Sequence, residues 1–254
     1  MCLNKNGSFY VWDTEIKCCD SDQTRQISLS SILKFQQEIG ELQLTEINMD
    51  YEKMFSELGL IFVFTRINSV IYRRPKIGEK IHMITWCKGL KGIQYYRCYR
   101  FETQSGELLI DSMAAIATVD AKAHKLVKPQ NIDAFSFFVF NEDIKTECPI
   151  PKKLSTADSF DFTAERTVMY SDTDYNSHLN NCVYANFMCD YMPGGMDDKI
   201  IKGFSINFQS EALLGETITV GVNGLENNAT FSGNHDRGKC FEAVCFYKNC
   251  CKMS

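Results

Sequence analysis

The 254-residue sequence lacks the patterns of a membrane protein, a secreted protein or a nucleic-acid binder. Its most apolar stretch, residues 58–63, is far shorter than the roughly 18 residues that a membrane-spanning helix needs. The amino terminus has neither a basic-then-apolar secretory signal nor an Arg- and Ser-rich transit pattern. A formal net charge of −5 offers no basic footprint for phosphate contacts. We therefore expect a globular, cytoplasmic protein.

Sequence motifs for metal, disulfide and nucleophile chemistry are also missing. Twelve cysteines are present without a C-x-x-C, and the adjacent pairs Cys18-Cys19 and Cys250-Cys251 cannot share one tetrahedral metal ion. Without a secretory signal, we expect reduced and mostly buried thiols, and neither a metal nor another cofactor. There is no G-x-S-x-G nucleophile elbow and no phosphate-binding glycine loop, which argues against an α/β-hydrolase and a nucleotide-binding site.

An approximate internal repeat organises what is present. Residues 71–81 resemble residues 208–218, and the alignment places Gly78-Glu79 on Gly215-Glu216. Strand-like runs on both sides of a glycine-containing turn follow each copy, and this pattern predicts a β-hairpin. The hairpins are expected at residues 94–102 and 108–119 around a turn at 104–106, and at residues 229–232 and 240–248 around a turn at 234–238.

A helical pattern precedes each copy of the repeat. The first helix is predicted over residues 28–40, capped by Ser28 and stopped by Gly40, and the second over residues 179–192. Because a helix cannot bury its apolar stripe alone, we expect an antiparallel sheet to wrap around each one. The predicted fold class is α+β, with two such domains packed as an internal pseudo-dimer. The predicted limits are 1–145 for the first domain, 146–158 for the linker and 159–254 for the second domain.

The segment before the second helix is the strongest candidate for chemistry. Asp174, Asn176 and His178 alternate there, and an extended backbone would point all three side chains to one side. Unpaired N–H groups at the start of the helix could then polarise a carbonyl group. In the simpler interpretation Asn176 or Ser177 only caps the helix and the histidine is structural. The remaining histidines include His124 and His235, and we expect both to be exposed.

The string from Ser171 to Asn181, with Asp, Asn and His at alternating positions and Tyr184 after it, resembles the signature of the acyl-ACP thioesterase family of plants and bacteria. The Gly78-Glu79 strand resembles the amino-terminal domain of that family. The resemblance runs from about Tyr10 to Tyr247. It implies two tandem hotdog domains, an acyl-chain groove in the first and the active site in the second. The implied reaction is hydrolysis of fatty acyl-acyl carrier protein to free fatty acid, which terminates fatty acid synthesis.

The resemblance also assigns site residues. It makes Asp174, Asn176, His178 and Glu211 catalytic, and it makes Asn180 and Asn181 candidates for substrate binding. Plant members carry a cysteine where this chain has Ala212, so catalysis here must run without that thiol.

Our hypothesis is that Glu211, made more basic by partial burial, activates a water. In this hypothesis His178 and Asn176 orient the water or the carbonyl, and Asp174 holds the loop. Direct attack by Glu211 to form an acyl anhydride is the alternative. Glu211 aligns with Arg74 in the first copy of the repeat, so only the second half is equipped for this chemistry.

Other functions remain open at this stage. The same residues would serve an acyl-CoA thioesterase, and a non-catalytic acyl-binding hotdog module would keep the fold alone. The expected partner is an acidic acyl carrier protein with a phosphopantetheine-linked acyl chain, which needs a basic docking patch. The candidate clusters are Arg73, Arg74 and Lys76; Lys88 and Lys91; and Lys122, Lys125 and Lys128. A monomer and a homodimer are both compatible with the pattern, and acyl chain length is open.

Overall fold

The computed structural model describes residues 2–3, 8–128, 139–155, 157 and 159–250. The helices are α1 (Leu29–Glu46) and α2 (Val183–Asp190), with short 3₁₀ turns at Cys18–Asp20 and Tyr170–Asp172 and a π-helical turn at Lys53–Glu57. The strands are β1 (Cys2–Leu3), β2 (Tyr10–Glu15), β3 (Leu60–Ile71), β4 (Lys80–Lys91), β5 (Gln94–Thr103), β6 (Leu108–Asp120), β7 (Lys125–Val127), β8 (Phe162–Thr167), β9 (Lys199–Phe208), β10 (Thr217–Gly224), β11 (Asn228–His235) and β12 (Gly238–Asn249).

The chain divides into two compact units. The first unit comprises Met1–Ser28 and Lys34–Pro151, and the second comprises Leu29–Leu33 and Lys152–Ser254. The division after Pro151 falls inside the predicted linker of residues 146–158, of which Thr156 and Asp158 lie outside the described residues. The predicted domain limits stay a prediction.

The first unit is an antiparallel sheet with strand order β1-β2-β4-β5-β6-β3, and β7 pairs with β6. The predicted hairpin is confirmed as β5 and β6, which pair from Gln94↔Ala117 to Glu102↔Leu108. Helix α1 contacts this sheet through buried polar side chains as well as apolar ones. The amide of Gln36 donates to the Ser112 hydroxyl on β6 at 2.8 Å. This bond offsets part of the desolvation cost of burying the amide, whose Oε1 has no hydrogen-bond partner among the described residues.

The second unit repeats this plan with strand order β9-β12-β11-β10-β8, again antiparallel. Helix α2 buries an aromatic face against β9 and β12. The ring of Tyr184 lies 5.5 Å from that of Phe208 and 4.8 Å from that of Phe241, and Phe187 lies 5.8 Å from Phe241. Each such pair contributes roughly 0.5–1.5 kcal/mol beyond the burial of its area, so this cluster fixes the helix on the sheet.

Both predicted helices are present, and α1 begins at Leu29 beside its predicted cap Ser28, but the predicted end of α1 and both predicted limits of α2 were wrong. Helix α1 runs through Gly40 to Glu46, because the glycine packs toward the Tyr99 hydroxyl and the helix gains tertiary contacts beyond it. Helix α2 begins at Val183 rather than at Leu179, because the four preceding residues are held in a turn by contacts outside the helix. Those contacts form part of the candidate site.

The expected burial of the thiols is confirmed for most described cysteines. Cys87, Cys98, Cys148, Cys182, Cys240 and Cys245 are buried, and Cys18, Cys19 and Cys250 are exposed. Among the described residues, no cluster of three His, Cys, Asp or Glu side chains is arranged to hold a metal ion. Within the same residues, no helix is long and apolar enough to cross a membrane.

Candidate functional site

The loop of residues 174–180, which we call the site loop, is a tight turn rather than the extended segment that we expected. The Asp174 carboxylate accepts the N–H groups of Asn176 at 2.8 Å and His178 at 3.2 Å. The Asp174 N–H in turn donates to the His178 carbonyl at 2.8 Å, and Ser177 adopts a φ of 63°. Asp174 thus closes the turn with both its main chain and its side chain, as the hypothesis for this residue required.

Three of the N–H groups before α2 are already paired within the protein and are not free to polarise a substrate. Leu179 donates its N–H to the Ala212 carbonyl at 2.8 Å, and Asn180 donates its N–H to the Asp172 carbonyl at 2.9 Å. The Cys182 N–H donates to the side-chain oxygen of Asn180 at 3.1 Å. Asn180 therefore supplies a side-chain oxygen at this helix start. Substrate binding by Asn180 and by the half-buried Asn181 stays a prediction.

The two strongest candidates from the sequence, His178 and Glu211, lie together. A β-bridge between His178 and Leu213 aligns the site loop with the segment after β9. The imidazole Nε2 of His178 lies 3.3 Å from a carboxylate oxygen of Glu211. The His178 side chain is 32% exposed and that of Glu211 is 55% exposed. Glu211 is therefore less buried than our hypothesis assumed, and both groups are open to solvent.

This pair combines a proton acceptor and a donor at a surface that substrate can reach. A carboxylate can take a proton from water, and an imidazole N–H can donate to a carbonyl oxygen or to the attacking water. The residue next to Glu211 and the nearby Cys240 do not supply a thiol nucleophile. Ala212 is fully buried beside Glu211, and burial raises the pKa of the nearby Cys240 thiol to about 12, so that thiol is protonated at neutral pH.

Sequence reasoning missed an anchor beneath the site loop. Arg166 donates to Asp172 and to Asp190 on α2, both at 3.0 Å, and its guanidinium lies 5.0 Å from the centre of the Phe187 ring. The other carboxylate oxygen of Asp172 accepts the Met169 N–H at 3.1 Å. Asp172 precedes Asp174 in the Asp-x-Asp pair, and that doubling was the available signal.

His235 was also misplaced by the sequence. We expected it to be exposed in a turn, but β11 extends through His235, which is only 7% exposed. The true turn is shorter and contains Asp236 and Arg237. The His235 Nε2 lies 3.1 Å from the Glu211 carbonyl oxygen, so a histidine from the hairpin reaches the candidate site. His124, in contrast, is exposed as predicted.

Two family models match this chain and together cover most of it. The acyl-ACP thioesterase N-terminal domain matches residues 7–132, and the acyl-ACP thioesterase C-terminal domain matches residues 156–239. The chain belongs to the acyl-ACP thioesterase family. The site loop, Glu211 and His235 all fall within the match to the C-terminal domain of that family.

Individual acyl-ACP thioesterases are distant in sequence but close in fold. The chain is 23% identical over 166 residues to the chloroplastic dodecanoyl-[acyl-carrier-protein] hydrolase of Cinnamomum camphora, and 26% identical over 170 residues to the chloroplastic palmitoyl-acyl carrier protein thioesterase of Arabidopsis thaliana. Each match covers 63% of this chain but only 43% and 40% of those relatives, so the chain spans less than half the length of either.

The solved structure of the 12:0-ACP thioesterase from Umbellularia californica superposes with a TM-score of 0.84 at 15% identity. It covers 97% of this chain and 99% of that one. At this identity the likeness speaks for the fold alone. The expected fold, two tandem hotdog domains, is confirmed.

Proposed function

We propose that this protein hydrolyses the thioester of fatty acyl-acyl carrier protein and releases the free fatty acid. The observation that carries the proposal is the 3.3 Å contact between His178 and Glu211 in the domain that matches the C-terminal thioesterase model. A protein that only bound acyl chains would have no use for a solvent-open carboxylate held against an imidazole.

The proposed reaction uses water as the nucleophile. Glu211 removes a proton from a water molecule while the water oxygen bonds to the thioester carbonyl carbon. His178, together with Asn176, donates hydrogen bonds to the oxygen on which negative charge develops. The tetrahedral intermediate collapses with cleavage of the C–S bond, and Glu211 returns the proton to the departing thiolate. The products are a free fatty acid and the carrier thiol.

Ala212 supports a route without a thiol nucleophile. A buried methyl group occupies the position that holds a cysteine in plant members, and the Ala212 carbonyl is occupied by the Leu179 N–H. Attack by Glu211 itself to form an acyl anhydride remains the alternative use of the same carboxylate. Both routes require Glu211 and neither requires a cysteine.

Of the three predicted basic clusters, we propose that the third docks the carrier, since the arginines of the first and Lys88 of the second are engaged within the protein. Arg73 is engaged by Glu79 and Glu107, and the guanidinium of Arg74 is buried against Asp22. Lys88 donates to two main-chain carbonyls. The exposed ammonium groups of the third cluster are the better candidates for steering an acidic carrier; they belong to Lys122, Lys125 and Lys128.

The acyl chain length is left open, because the two curated relatives are named for dodecanoyl and palmitoyl groups. An acyl groove in the first domain, the cytoplasmic location and the choice between monomer and homodimer stay predictions.

A fatty-acid release assay tests the proposal. It uses acyl-acyl carrier protein of several chain lengths, acyl-CoA of the same lengths in parallel, and His178→Ala as the control. We expect release from the carrier protein with a higher kcat/KM than from CoA, and a loss of roughly hundredfold or more in His178→Ala. Equal or better turnover of acyl-CoA would overturn the carrier assignment. Failure of the folded protein to cleave either thioester would overturn hydrolysis.

A further inference from the structure

The main chain of Glu211 is fixed by side chains from the turn between β11 and β12. The Glu211 carbonyl accepts one hydrogen bond from His235 Nε2 at 3.1 Å and one from the Arg237 guanidinium at 2.7 Å. The Ser210 hydroxyl also lies 3.2 Å from the His235 Nε2, so three side-chain groups meet at this peptide unit. Two hydrogen bonds to one carbonyl use both of its lone pairs and leave it little freedom to rotate.

The peptide groups that follow are fixed as well. The Ala212 carbonyl accepts the Leu179 N–H at 2.8 Å, and the Leu213 N–H donates to the Glu216 carboxylate at 2.7 Å. Arg237 holds the same carboxylate with hydrogen bonds of 2.8 and 2.9 Å. Arg237 therefore ties the Glu211 carbonyl to Glu216 across the turn. The Glu211 side chain is mostly exposed, so its direction depends on this main-chain framework.

His235 is held in a single tautomer by its neighbours. Its Nδ1 accepts the Arg237 N–H at 3.1 Å, which leaves Nε2 as the ring donor toward the Glu211 carbonyl. At 7% exposure the ring is nearly removed from solvent. The imidazole therefore acts as a rigid spacer between the hairpin turn and the Glu211 peptide group.

We propose that His235 and Arg237 are positioning residues that set the Glu211 carboxylate against His178. The inference rests on the proposed function, since it assigns a role toward the base of that reaction. Neither residue touches the reacting atoms; both act through the main chain of Glu211. Losing either one lets the carboxylate move away from Nε2 of His178 without changing the groups that bind substrate.

The first unit contains a matched control for this proposal. Arg73 holds Glu79 with two hydrogen bonds of 2.8 Å, and the Lys76 N–H donates to the same carboxylate at 2.9 Å. This repeats the arrangement of Arg237, Glu216 and the Leu213 N–H. Arg73 belongs to the first unit, which contains neither His178 nor Glu211. Removing Arg73 thus imposes a similar loss of an ion pair without disturbing Glu211.

The test compares Arg237→Met and His235→Leu with Arg73→Met in the full-length protein. It uses kcat and KM on acyl-acyl carrier protein, the melting temperature, and the side-chain ¹⁵N resonances of His178 in labelled protein. Glu211→Gln supplies the reference resonance for a changed partner. We expect Arg237→Met and His235→Leu to lower kcat roughly ten- to hundredfold with KM unchanged. We expect both to shift the His178 resonance toward the Glu211→Gln position, while Arg73→Met lowers only the melting temperature.

The proposal is overturned if Arg237→Met and His235→Leu change kcat no more than Arg73→Met at a matched loss of melting temperature. It is also overturned if kcat falls while the His178 resonance stays at the wild-type position, because the residues would then act by another route. If His235→Leu does not fold, Arg237→Met alone tests the loss of kcat. His235→Gln then serves as the rescue variant, since its amide can still donate to the Glu211 carbonyl and should keep kcat near the wild-type value. A wild-type protein without thioesterase activity would sink the proposed function, and the His178 resonance alone would then decide the positioning.

Discussion

The site loop has the same backbone conformation as residues 22–28 of the first unit, which we call the twin loop. In each loop the opening aspartate donates its N–H to the carbonyl four residues on, at 2.8 Å in the site loop and 2.9 Å in the twin loop. The carboxylate of that aspartate accepts the N–H two residues on, at 2.8 and 2.9 Å. The residue three positions on has a positive φ in both, 63° at Ser177 and 59° at Arg25.

The side chains on this shared backbone differ, and so does what they contact. At the position of His178, which contacts Glu211, the twin loop has Gln26. At the position of Glu211, the first unit has Arg74, which contacts the twin loop. The buried guanidinium of Arg74 pairs with Asp22 and also donates to the Ile27 carbonyl at 3.1 Å. Arg74 therefore stabilises the twin loop. Because a guanidinium has only hydrogen-bond donors, it cannot accept a proton from water as a carboxylate can. The loop geometry is therefore structural, and the chemistry depends on the side chains at a few positions.

The largest effect is expected from rebuilding the site loop with the side chains of the twin loop. The triple variant Asn176→Thr, His178→Gln and Glu211→Arg should still fold, because the twin loop accommodates this set. Fatty-acid release should fall by at least roughly a thousandfold, since both the base and its imidazole partner are gone. The comparison breaks if the folded variant keeps activity within about tenfold of wild type.

The next largest effect is expected from removing the aspartate that opens each loop. Its loss should reduce catalysis in the site loop and stability in the twin loop. Asp174→Ala frees the N–H groups of Asn176 and His178, and the displaced imidazole should cost roughly tenfold or more in kcat. Asp22→Ala removes the matching bond from the Thr24 N–H and one partner of Arg74, so it should lower stability by about 1–3 kcal/mol and leave kcat unchanged. Steady-state kinetics and urea unfolding measure both. An equal loss of kcat in the two variants would contradict the separation.

A smaller effect is expected from the exposed lysine cluster of the first unit. Changing Lys122, Lys125 and Lys128 together to Gln should lower kcat/KM on acyl-acyl carrier protein by about three- to tenfold at low salt. Turnover of a small thioester should not change, and added salt should erase the difference. The matched control changes three other exposed lysines to Gln, namely Lys152, Lys153 and Lys248. Equal losses in the two triple variants would indicate net charge rather than a docking site.

The smallest effect is expected on stability at low pH. It comes from the ion pairs Arg237–Glu216 and Arg73–Glu79, which we call the Arg–Glu clasps. Hydrogen bonds from Arg237 lower the pKa of Glu216 to about 2, and Arg73 likewise lowers the pKa of Glu79. Because these folded-state values lie below the unfolded pKa of about 4.3, each clasp stabilises fully above that pH. Its contribution is lost as the pH falls toward 2. In Arg237→Met, stability should therefore fall slightly less steeply toward acid pH than in the wild type, because solvent weakens a partly exposed ion pair. Urea midpoints measured between pH 6 and pH 3 check this prediction. It would be contradicted if the stability of Arg237→Met fell with pH as steeply as that of the wild type.

Much of the fold could be predicted from the sequence because its signals are local. Glycine-containing turns located both hairpins, and the repeat located Gly78 and Gly215, which adopt φ values of 80° and 84°. The resemblance supplied the pairing of His178 with Glu211. Where the sequence failed, the deciding contacts were non-local. The Leu179 N–H is taken by Ala212, which delays α2, and β11 extends through His235, which buries it.

The twin loop could have been found by its sequence but was not. Residues 20–28 read Asp-Ser-Asp-Gln-Thr-Arg-Gln-Ile-Ser, and residues 172–180 read Asp-Thr-Asp-Tyr-Asn-Ser-His-Leu-Asn. The shared Asp-x-Asp is the detectable signal. The role of Arg74 is not detectable, because its contact with Asp22 joins residues far apart in the chain and depends on how the sheet brings them together.

If Glu211 makes the site loop catalytic where the twin loop is only structural, two matched variants should differ in turnover. The measurement is kcat for fatty-acid release by Glu211→Gln and by Arg74→Gln, its counterpart in the first unit, both confirmed as folded. We predict that Glu211→Gln loses roughly a hundredfold or more with little change in stability, and that Arg74→Gln keeps wild-type kcat while unfolding more easily. Full turnover by Glu211→Gln would contradict the account.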